Sequence, residues 1–270
     1  MTVGITSIQQ NRRPWIIEWI AFHLMVGFGK IIIYSHNSSD GTDEVVARLA
    51  ARYPIVGYRL GDVEKPQLAA YRHSWDNHGN SIDWMAFIDG DEFLFPTRAN
   101  TVAGALASFD STSLSALAVY WKIYGSNGHV DDPGGLLVEK FPRHSSDDHD
   151  DNRHVKSIVR GGERIDGYTS HVFQTQRGTF DENMREVVFG KTGYAPTYVH
   201  FRINHYLCQS WEFFKKYKQN SGAPDVNPLM VRPDSWFHRV DRNECDDGVS
   251  HNFLLRLKLK VAELEAFLKQ

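Results

Sequence analysis

Short apolar runs alternate with amphipathic stretches through the first third of the chain. Each run rich in Ile and Val predicts a strand, and each stretch with apolar residues three or four positions apart predicts a helix. A proline favours the start of two of these helices. The predicted strands are Val3 to Ile8, Ile31 to Tyr34, Ile55 to Tyr58 and Trp84 to Ile88, and the predicted helices are Pro14 to Val26, a segment that follows a capping Asp40, and Pro66 to His78.

This alternation predicts an α/β fold with a mostly parallel, Rossmann-like central sheet flanked by helices, in which ligands bind beyond the carboxyl ends of the strands. A last amphipathic helix is expected to pack on the same domain, because its apolar residues share one face. Between these parts we expect a helix near Val102 to Ser108, strands Leu114 to Trp121 and Leu136 to Phe141, a mobile polar loop His144 to His154, and the last helix Asn252 to Leu268.

The segment WMAFIDGDEFLFP, Trp84 to Pro96, carries an apolar strand directly into three carboxylates. Asp89, Asp91 and Glu92 crowd like charges at one strand end, which is unfavourable unless a cation is recruited. Gly90 permits a close backbone approach between the two aspartates. Oxygen ligands in this pattern fit Mg²⁺ or Mn²⁺ and leave positions open for phosphate oxygens. An acidic turn that caps a strand in water is the alternative.

Composition narrows the function classes. The chain has 270 residues, 41% of them hydrophobic, with 30 basic and 33 acidic side chains. This balance is typical of a soluble globular protein and does not indicate a basic face for nucleic acid. Only Cys208 and Cys245 are present, which is too few for a disulfide framework and favours reduced thiols.

Membrane and targeting signals are weak in the sequence. The apolar segment Trp15 to Tyr34 is interrupted by Glu18 and Lys30, so it reads as a helix followed by a strand. The first residues do not show the pattern of an export signal. We therefore expect no transmembrane segment and a cytoplasmic protein, with any membrane association peripheral and at the inner face of the membrane.

Five motifs follow one another in order along the chain. They are Asn11 with Pro14 to Trp19, His23, Gly27 and the turn Tyr34 to Thr42, then Phe87 to Phe93, Tyr124 to His129, Val155 to Val159, and Ile203 to Tyr206 with Ser210 and Phe213. Together they resemble the family 2-like and family 92-like glycosyltransferases, which share the GT-A fold. The chain departs from the family at Gln10-Asn11-Arg12, where Lys-Asn-Glu is frequent, and at Ser35, where Asp is frequent.

The resemblance implies a metal-dependent hexosyltransferase of polysaccharide biosynthesis. The expected donor is a nucleoside diphosphate sugar, a UDP-sugar above others, and the expected acceptor is a carbohydrate or glycoconjugate, with inversion as the expected course. The resemblance implies Mn²⁺ or Mg²⁺ at the DxD pair Asp89 and Asp91, completed by His205. His171 and His200 are rivals for the place of His205.

Further site residues follow from the resemblance and from side-chain chemistry. The general base stays open between His129, which matches a motif, and the carboxylates Asp131, Asp132 and those of the loop Asp147 to Asp151. Expected donor contacts are Asn11, Arg12, Ser35, Asn37, Asp40, Asp89, Gly90 and Lys156, and expected acceptor contacts are Trp121, Tyr124, Ser126 and Trp211.

Residues 1–222 are expected to form the catalytic domain, with 1–100 as the nucleotide-sugar half and 101–222 as the acceptor half. Residues 223–270 are expected to form a helical extension packed on it. Two other classes stay open. A phosphohydrolase would place a nucleophilic aspartate on the first strand, and Val3 to Ile8 ends without one. A non-catalytic sugar-nucleotide or glycan-binding module is the second alternative.

Overall fold

The computed structural model of the chain describes residues 1–223 and 225–270. Its first third alternates strands and helices, as the apolar pattern predicts. The elements are β1 (Val3–Gln9), α1 (Ile16–Met25), β2 (Lys30–His36), α2 (Thr42–Ala50), β3 (Ile55–Leu60), α3 (Pro66–His78), β4 (Trp84–Phe87), β5 (Glu92–Pro96) and α4 (Val102–Leu106).

The remainder of the chain adds shorter strands and the C-terminal helices. A π-helical turn, Phe214–Lys218, directly continues the short helix α6. The elements are β6 (Ala116–Ile123), α5 (Leu137–Lys140), β7 (Val155–Arg160), β8 (Ile165–Tyr168), β9 (Phe173–Thr175), β10 (Thr179–Asp181), β11 (Phe201–His205), α6 (Trp211–Phe213), α7 (Asp234–Val240) and α8 (Val249–Leu268).

Nine strands of the described residues form one sheet in the order β3-β2-β1-β4-β7-β6-β11-β5, with β10 pairing β6 off this path. β1 is central and parallel to both neighbours, since Ile5 pairs with Ile31 on one side and Ala86 on the other. The ladders of β7 with β4 and β6, and of β5 with β11, are antiparallel. The other five ladders of the sheet are parallel. The expected α/β architecture with a mostly parallel sheet is therefore confirmed.

Helices cover both faces of the sheet. On one face, Ile31 and Ile33 of β2 belong to the core cluster that contains α1, α2 and α8. On the other face, Ile32 and Tyr34 pack with α3. This division follows from the strand period of two, which sends successive side chains to opposite faces. It also decides which β2 side chains can reach a ligand.

The C-terminal helix α8 packs on the main hydrophobic core. Phe253 of α8 lies edge-on to Phe22 of α1 at 5.4 Å and to Phe95 of β5 at 4.9 Å between ring centroids. Leu257 and Leu264 are fully buried, so the predicted apolar face is the packed face. None of the helices in the described part of the chain combines the length and apolar character needed to cross a membrane.

The predicted strand over residues 136–141 is wrong. These residues contain the short helix α5, whose first amides are capped by a carboxylate from α1. Glu18 accepts hydrogen bonds from the backbone amides of Leu137, at 2.7 Å, and Val138, at 3.1 Å. A carboxylate at a helix N-terminus satisfies amides that have no intrahelical partner, which favours the helix.

The polar run of residues 144–154 is anchored to the sheet. Asn152 in this run is fully buried, and its side-chain oxygen accepts a 2.9 Å hydrogen bond from the amide of Ile123 in β6. The hydroxyl of Ser145 donates to the same oxygen at 2.9 Å. The run therefore closes the end of β6 through a buried polar contact.

Candidate active site

A cleft of about 570 Å³ lies where the neighbouring parallel strands β1 and β4 end. Its position is the carboxyl edge of the sheet, where α/β folds bind ligands. Four cationic side chains and two carboxylates line it. The lining residues are Ile8, Gln9, Gln10, Asn11, Arg12, Trp15, His36, Pro66, Gln67, Asp89, Gly90, Asp91, Ser170, His171, Lys216, Tyr217, Lys218, Ser221, Gly222, Ala223 and Arg232.

The acidic turn connects β4 to β5 at the floor of this cleft. Glu92 accepts a 2.9 Å hydrogen bond from the amide of Asp89, which fixes the turn. A Cβ at Gly90 would lie 2.9 Å from Cδ of Gln9 in β1. A glycine is therefore needed for the turn to pass this close to β1.

Asp91 is buried and surrounded by positive groups. Its Oδ1 lies 3.6 Å from Nε2 of His205, and its Oδ2 accepts a hydrogen bond from Lys218 and lies 3.9 Å from Arg12. Burial alone would raise the pKa of Asp91, but Lys218, His205 and Arg12 outweigh it and hold that pKa well below its usual value. Asp91 is therefore a carboxylate at neutral pH.

Asp89 is bound on both oxygens by the chain itself. Gln67 donates to Oδ1, and Lys156 donates to Oδ2 at 2.9 Å. Burial would raise the pKa of Asp89, but the Lys156 ammonium reverses this and lowers it. This arrangement departs from the predicted role of Asp89 as a direct metal ligand, because both of its oxygens already have donors.

Glu92 lies behind this pair and is completely buried. Burial raises its pKa well above the usual value despite the Lys156 ammonium 3.9 Å away. Oε1 of Glu92 lies 4.0 Å from Nδ1 of His205, and within the described residues neither atom has a hydrogen-bond partner. A carboxyl group behind the second nitrogen of a histidine is the usual support of a metal-binding imidazole.

The donor set fits a divalent ion held by two protein ligands. Two ligands about 2.1 Å from one ion lie roughly 3–3.5 Å apart, and Oδ1 of Asp91 and Nε2 of His205 are 3.6 Å apart. No group of three His, Cys, Asp or Glu side chains that could hold a metal is found among the described residues. Two ligands are sufficient where substrate phosphates complete the shell, as is usual for Mg²⁺.

The two rival histidines have different positions. His171 lines the cleft, and its Nδ1 donates a 2.8 Å hydrogen bond to the carbonyl of Val155, which leaves Nε2 as an acceptor. Burial lowers the pKa of His171 to about 3. His200 is not among the lining residues and packs against Phe109 at 5.1 Å. His205 alone of the three lies against Asp91.

Some of the predicted donor residues line the cleft, and others stabilise the turns beside it. Asn11 and Arg12 line the cleft, and the side chain of Asn11 accepts a 2.9 Å hydrogen bond from the amide of Ser39. Asp40 is not among the lining residues, and it accepts hydrogen bonds from the amide and hydroxyl of Thr42, the first residue of α2, at 2.9 and 2.6 Å. Asp40 therefore positions the turn that precedes α2.

The expected donor contacts Ser35 and Asn37, at the end of β2, also lie in different places. Ser35 lies on the α2 face of the sheet, in a small separate cavity beside Gly57. His36 lies on the other face and lines the cleft. Asn37 follows, and its amide donates a 2.6 Å hydrogen bond to Asp62 rather than reaching the cleft lining.

The predicted acceptor residues are not part of the cleft lining. Tyr124 is completely buried and accepts a hydrogen bond from Arg202. Ser126 is also buried, and its hydroxyl donates to Asp241 at 3.0 Å. Trp211 packs edge-on against Phe237 at 4.9 Å. Ser126 and Trp211 therefore connect to residues 223–270, whereas Tyr124 contacts β11.

Trp121 and His129 also lie outside the lining. Trp121 packs beneath the cleft, edge-on to His205 at 4.2 Å and against His171 at 5.3 Å, which orients both imidazoles. His129 packs edge-on to Phe141 at 5.8 Å. The geometry therefore does not bring His129 to the acidic pair, and it gives Trp121 a supporting position.

Several cleft residues escaped the sequence prediction. Gln67 at the start of α3 binds Asp89, and Asp225 accepts 3.1 Å hydrogen bonds from the amides of Gln67 and Leu68. Lys218 lies at the end of the π-helical turn, and Arg232 lies in residues 223–270, where the sequence shows no motif. The basic residues at 215, 216 and 218 were the only sequence signal available for this side of the cleft.

Comparison with known sequences identifies the family. The family model described as "Glycosyltransferase family 92" matches residues 1–228. A family 92 protein of Oryza sativa subsp. japonica is 27% identical over 275 residues, which cover 92% of this chain and 44% of the relative. One of Arabidopsis thaliana is 26% identical over 265 residues, which cover 87% and 43%. The chain thus spans less than half of the length of these relatives.

Solved glycosyltransferase structures align with part of this chain at low similarity. TarS of S. aureus, in complex with UDP-GlcNAc, is 19% identical with a TM-score of 0.37, over 50% of this chain and 37% of TarS. The mannosyltransferase PcManGT from Pyrobaculum calidifontis, in complex with GDP-Man and Mn²⁺, is 16% identical with a TM-score of 0.36, over 44% and 35%. Since the family model spans residues 1–228, the chain belongs to glycosyltransferase family 92.

Proposed function

We propose that this chain is a metal-dependent glycosyltransferase that moves a hexose from a nucleoside diphosphate sugar, a UDP-sugar in the first instance, to a carbohydrate hydroxyl. The observation that carries the proposal is the pair formed by Asp91, which lines a cleft large enough for a nucleotide, and His205, whose Nε2 lies 3.6 Å from Asp91. Family membership supports the reaction class.

The charge of the cleft supports a diphosphate ligand. Arg12, Lys216, Lys218 and Arg232 line it against Asp89 and Asp91 only. A surplus of cationic groups attracts a diphosphate and stabilises the charge that grows on it as the sugar leaves. Arg12 is well placed for this, because its guanidinium lies 3.9 Å from Asp91 and can bind phosphate oxygens in pairs.

Each residue of the acidic turn has a different proposed role. Asp91 and His205 hold Mn²⁺ or Mg²⁺, and a bound divalent ion would neutralise the departing diphosphate. Asp89, fixed by Lys156 and Gln67, orients the turn and presents its carboxylate edge to the ribose. Glu92 supports the far side of the His205 ring at 4.0 Å.

The binding site of the donor extends from β1 to α3. Asn11 and Gly90 line the cleft together with His36 at the end of β2 and Pro66 at the start of α3. We place the nucleobase beside His36, because this residue offers a ring face and a hydrogen-bonding nitrogen. We also propose inversion at the anomeric carbon, which the configuration of the product, read by NMR, will test.

Turnover with a panel of nucleotide sugars tests the proposal. The purified protein is incubated with UDP- and GDP-sugars and Mn²⁺, and release of the nucleoside diphosphate is measured with and without oligosaccharide acceptors. We expect slow hydrolysis of one donor, which a suitable acceptor accelerates. Asp91→Asn should lower turnover by about 100-fold or more, since a metal contributes several kcal/mol to such reactions.

Asp76→Asn is the matched control, because Asp76 is an exposed carboxylate on α3 outside the cleft lining. It should leave turnover unchanged. Tight UDP binding without turnover of any donor would instead identify a sugar-nucleotide-binding module. Hydrolysis of simple phosphate esters that survives Asp91→Asn would identify a different chemistry and overturn the proposal.

A further inference from the structure

We propose that Lys218 is exchanged between Asp91 and the diphosphate of the donor, so that donor binding releases the Asp91 carboxylate to the divalent ion. This inference rests on the proposed function and concerns the order in which its ligands bind. It assigns to Lys218, which no motif of the sequence marks, control over the affinity of the metal site.

The contact between Lys218 and Asp91 places a cation where it opposes the metal. Lys218 donates to Oδ2 of Asp91, while Oδ1 of the same carboxylate faces His205. Arg12 adds a second positive charge 3.9 Å from Oδ2. A divalent ion between Asp91 and His205 would share one carboxylate with both cations. The Asp91 side chain is only 3% exposed, so their repulsion is weakly screened by water.

Lys218 is also the cation that is free to move. It lies at the end of the π-helical turn, its side chain is 17% exposed, and it lines the cleft. An ammonium on a flexible four-carbon stem can follow an anion over several ångströms. The diphosphate of the proposed donor would offer such an anion within the same cleft.

Lys156 shows the contrasting arrangement. It lies on β7, its side chain is 1% exposed, and it contacts Asp89, Glu92 and the carbonyl of Ser170 together. It does not line the cleft. A lysine that is itself buried and held by three partners stays with Asp89 whether or not the donor is bound. Asp89 and Asp91 therefore each pair with a lysine, but only the lysine that pairs with Asp91 can leave its carboxylate.

The exchange has a thermodynamic consequence. If Lys218 leaves Asp91 when the diphosphate binds, UDP raises the affinity for Mn²⁺, and Mn²⁺ raises the affinity for UDP by the same factor. Removing the Lys218 charge removes part of this coupling, since Asp91 is then free of that cation before UDP arrives. Loss of a hydrogen bond to a charged group corresponds to about a 10-fold change in affinity or more.

Binding of Mn²⁺ measured by electron paramagnetic resonance, with and without UDP, tests the exchange. In Lys218→Met we expect Mn²⁺ alone to bind about 10-fold tighter than in the unmodified protein, and metal-free UDP to bind about 10-fold weaker. The strengthening of Mn²⁺ binding by UDP should shrink accordingly. Lys218→Arg, which keeps the charge, should restore the original coupling.

Lys215→Met is the matched control, because Lys215 belongs to the same turn but pairs with Asp234 outside the cleft lining. It should reproduce the unmodified protein. Unchanged Mn²⁺ affinity in Lys218→Met without UDP would overturn the exchange while leaving the proposed function intact. Failure of Mn²⁺ to bind the unmodified protein even with UDP present would overturn the metal-dependent function, and the exchange with it.

Discussion

The ammonium group of Lys156 donates a 2.9 Å hydrogen bond to Asp89 and lies 3.9 Å from Glu92, and its side chain is 1% exposed. One lysine thereby compensates two carboxyl groups of the acidic turn, the half-buried Asp89 and the completely buried Glu92. Burial would lower the pKa of Lys156, but the two carboxylates raise it instead, so the charge is retained. Asp89 and Glu92 therefore share this cation, whereas Asp91 is compensated by Lys218 and Arg12.

Lys156→Met should therefore be strongly destabilising. It leaves the half-buried Asp89 and the completely buried Glu92 without their common cation. Breaking a fully buried ion pair costs about 3–5 kcal/mol, and since water screens the exposed part of Asp89 we expect a cost of about 2–4 kcal/mol. The free energy of unfolding, measured by urea denaturation, should fall by this amount. Lys191→Met, which removes an ion pair with the exposed Asp150, is the control and should change it by less than about 1 kcal/mol.

The two histidines near the acidic turn should differ in their effect on metal binding. His205→Gln removes the imidazole nitrogen 3.6 Å from Asp91, so the affinity for Mn²⁺ in the presence of UDP should fall at least about 10-fold. His171→Gln should leave it nearly unchanged, since of these two histidines only His205 lies against Asp91. Calorimetric titration measures both. The reverse order of effects would assign the metal to His171.

His36 should contribute to donor affinity and Ser35 should not. The two residues are adjacent in β2, but only His36 lies on the face that lines the cleft. His36→Ala should raise the KM for the donor about 5- to 10-fold through loss of one polar or stacking contact. Ser35→Ala, its neighbour on the other face, should change it by less than about 2-fold. Equal effects would place the nucleobase elsewhere.

The first third of the fold could be predicted because its signals are local. Four apolar runs and three amphipathic stretches each identify an element without reference to the rest of the chain. The short strands β8, β9 and β10 could not be predicted, since three or four residues are too few to show the alternation of a strand. Helix α5 was mistaken for a strand because its cap, Glu18, lies 119 positions away from Leu137.

The acidic turn was placed correctly at the edge of the sheet because it directly follows a buried strand. The side chains that contact the acidic turn are harder to predict. Lys218, for example, is 127 positions from Asp91, and the two side chains meet only in the folded chain. A strand period of two predicts that Ser35 and His36 face opposite ways. It does not say which of them faces the ligand, because that depends on where α2 and α3 pack.

Glu18 should make stability depend on pH. Burial raises its pKa to about 7 from a usual value of 4.5, although the amides of Leu137 and Val138 oppose the change. Between these two values the folded protein binds a proton that the unfolded chain has lost. The free energy of unfolding should therefore fall as pH rises from about 4.5 to 7, by about 3 kcal/mol from this group.

Glu18→Gln isolates this contribution because glutamine does not titrate. The unfolding free energies of the unmodified protein and of Glu18→Gln are measured by urea denaturation at pH 5 and at pH 8. Relative to Glu18→Gln, the unmodified protein should lose about 2–3 kcal/mol of stability between pH 5 and pH 8. Glu265→Gln, at an exposed position of α8, should show no comparable shift. Parallel pH profiles for the unmodified protein and Glu18→Gln would mean that Glu18 stays ionised throughout, held by the α5 amides alone.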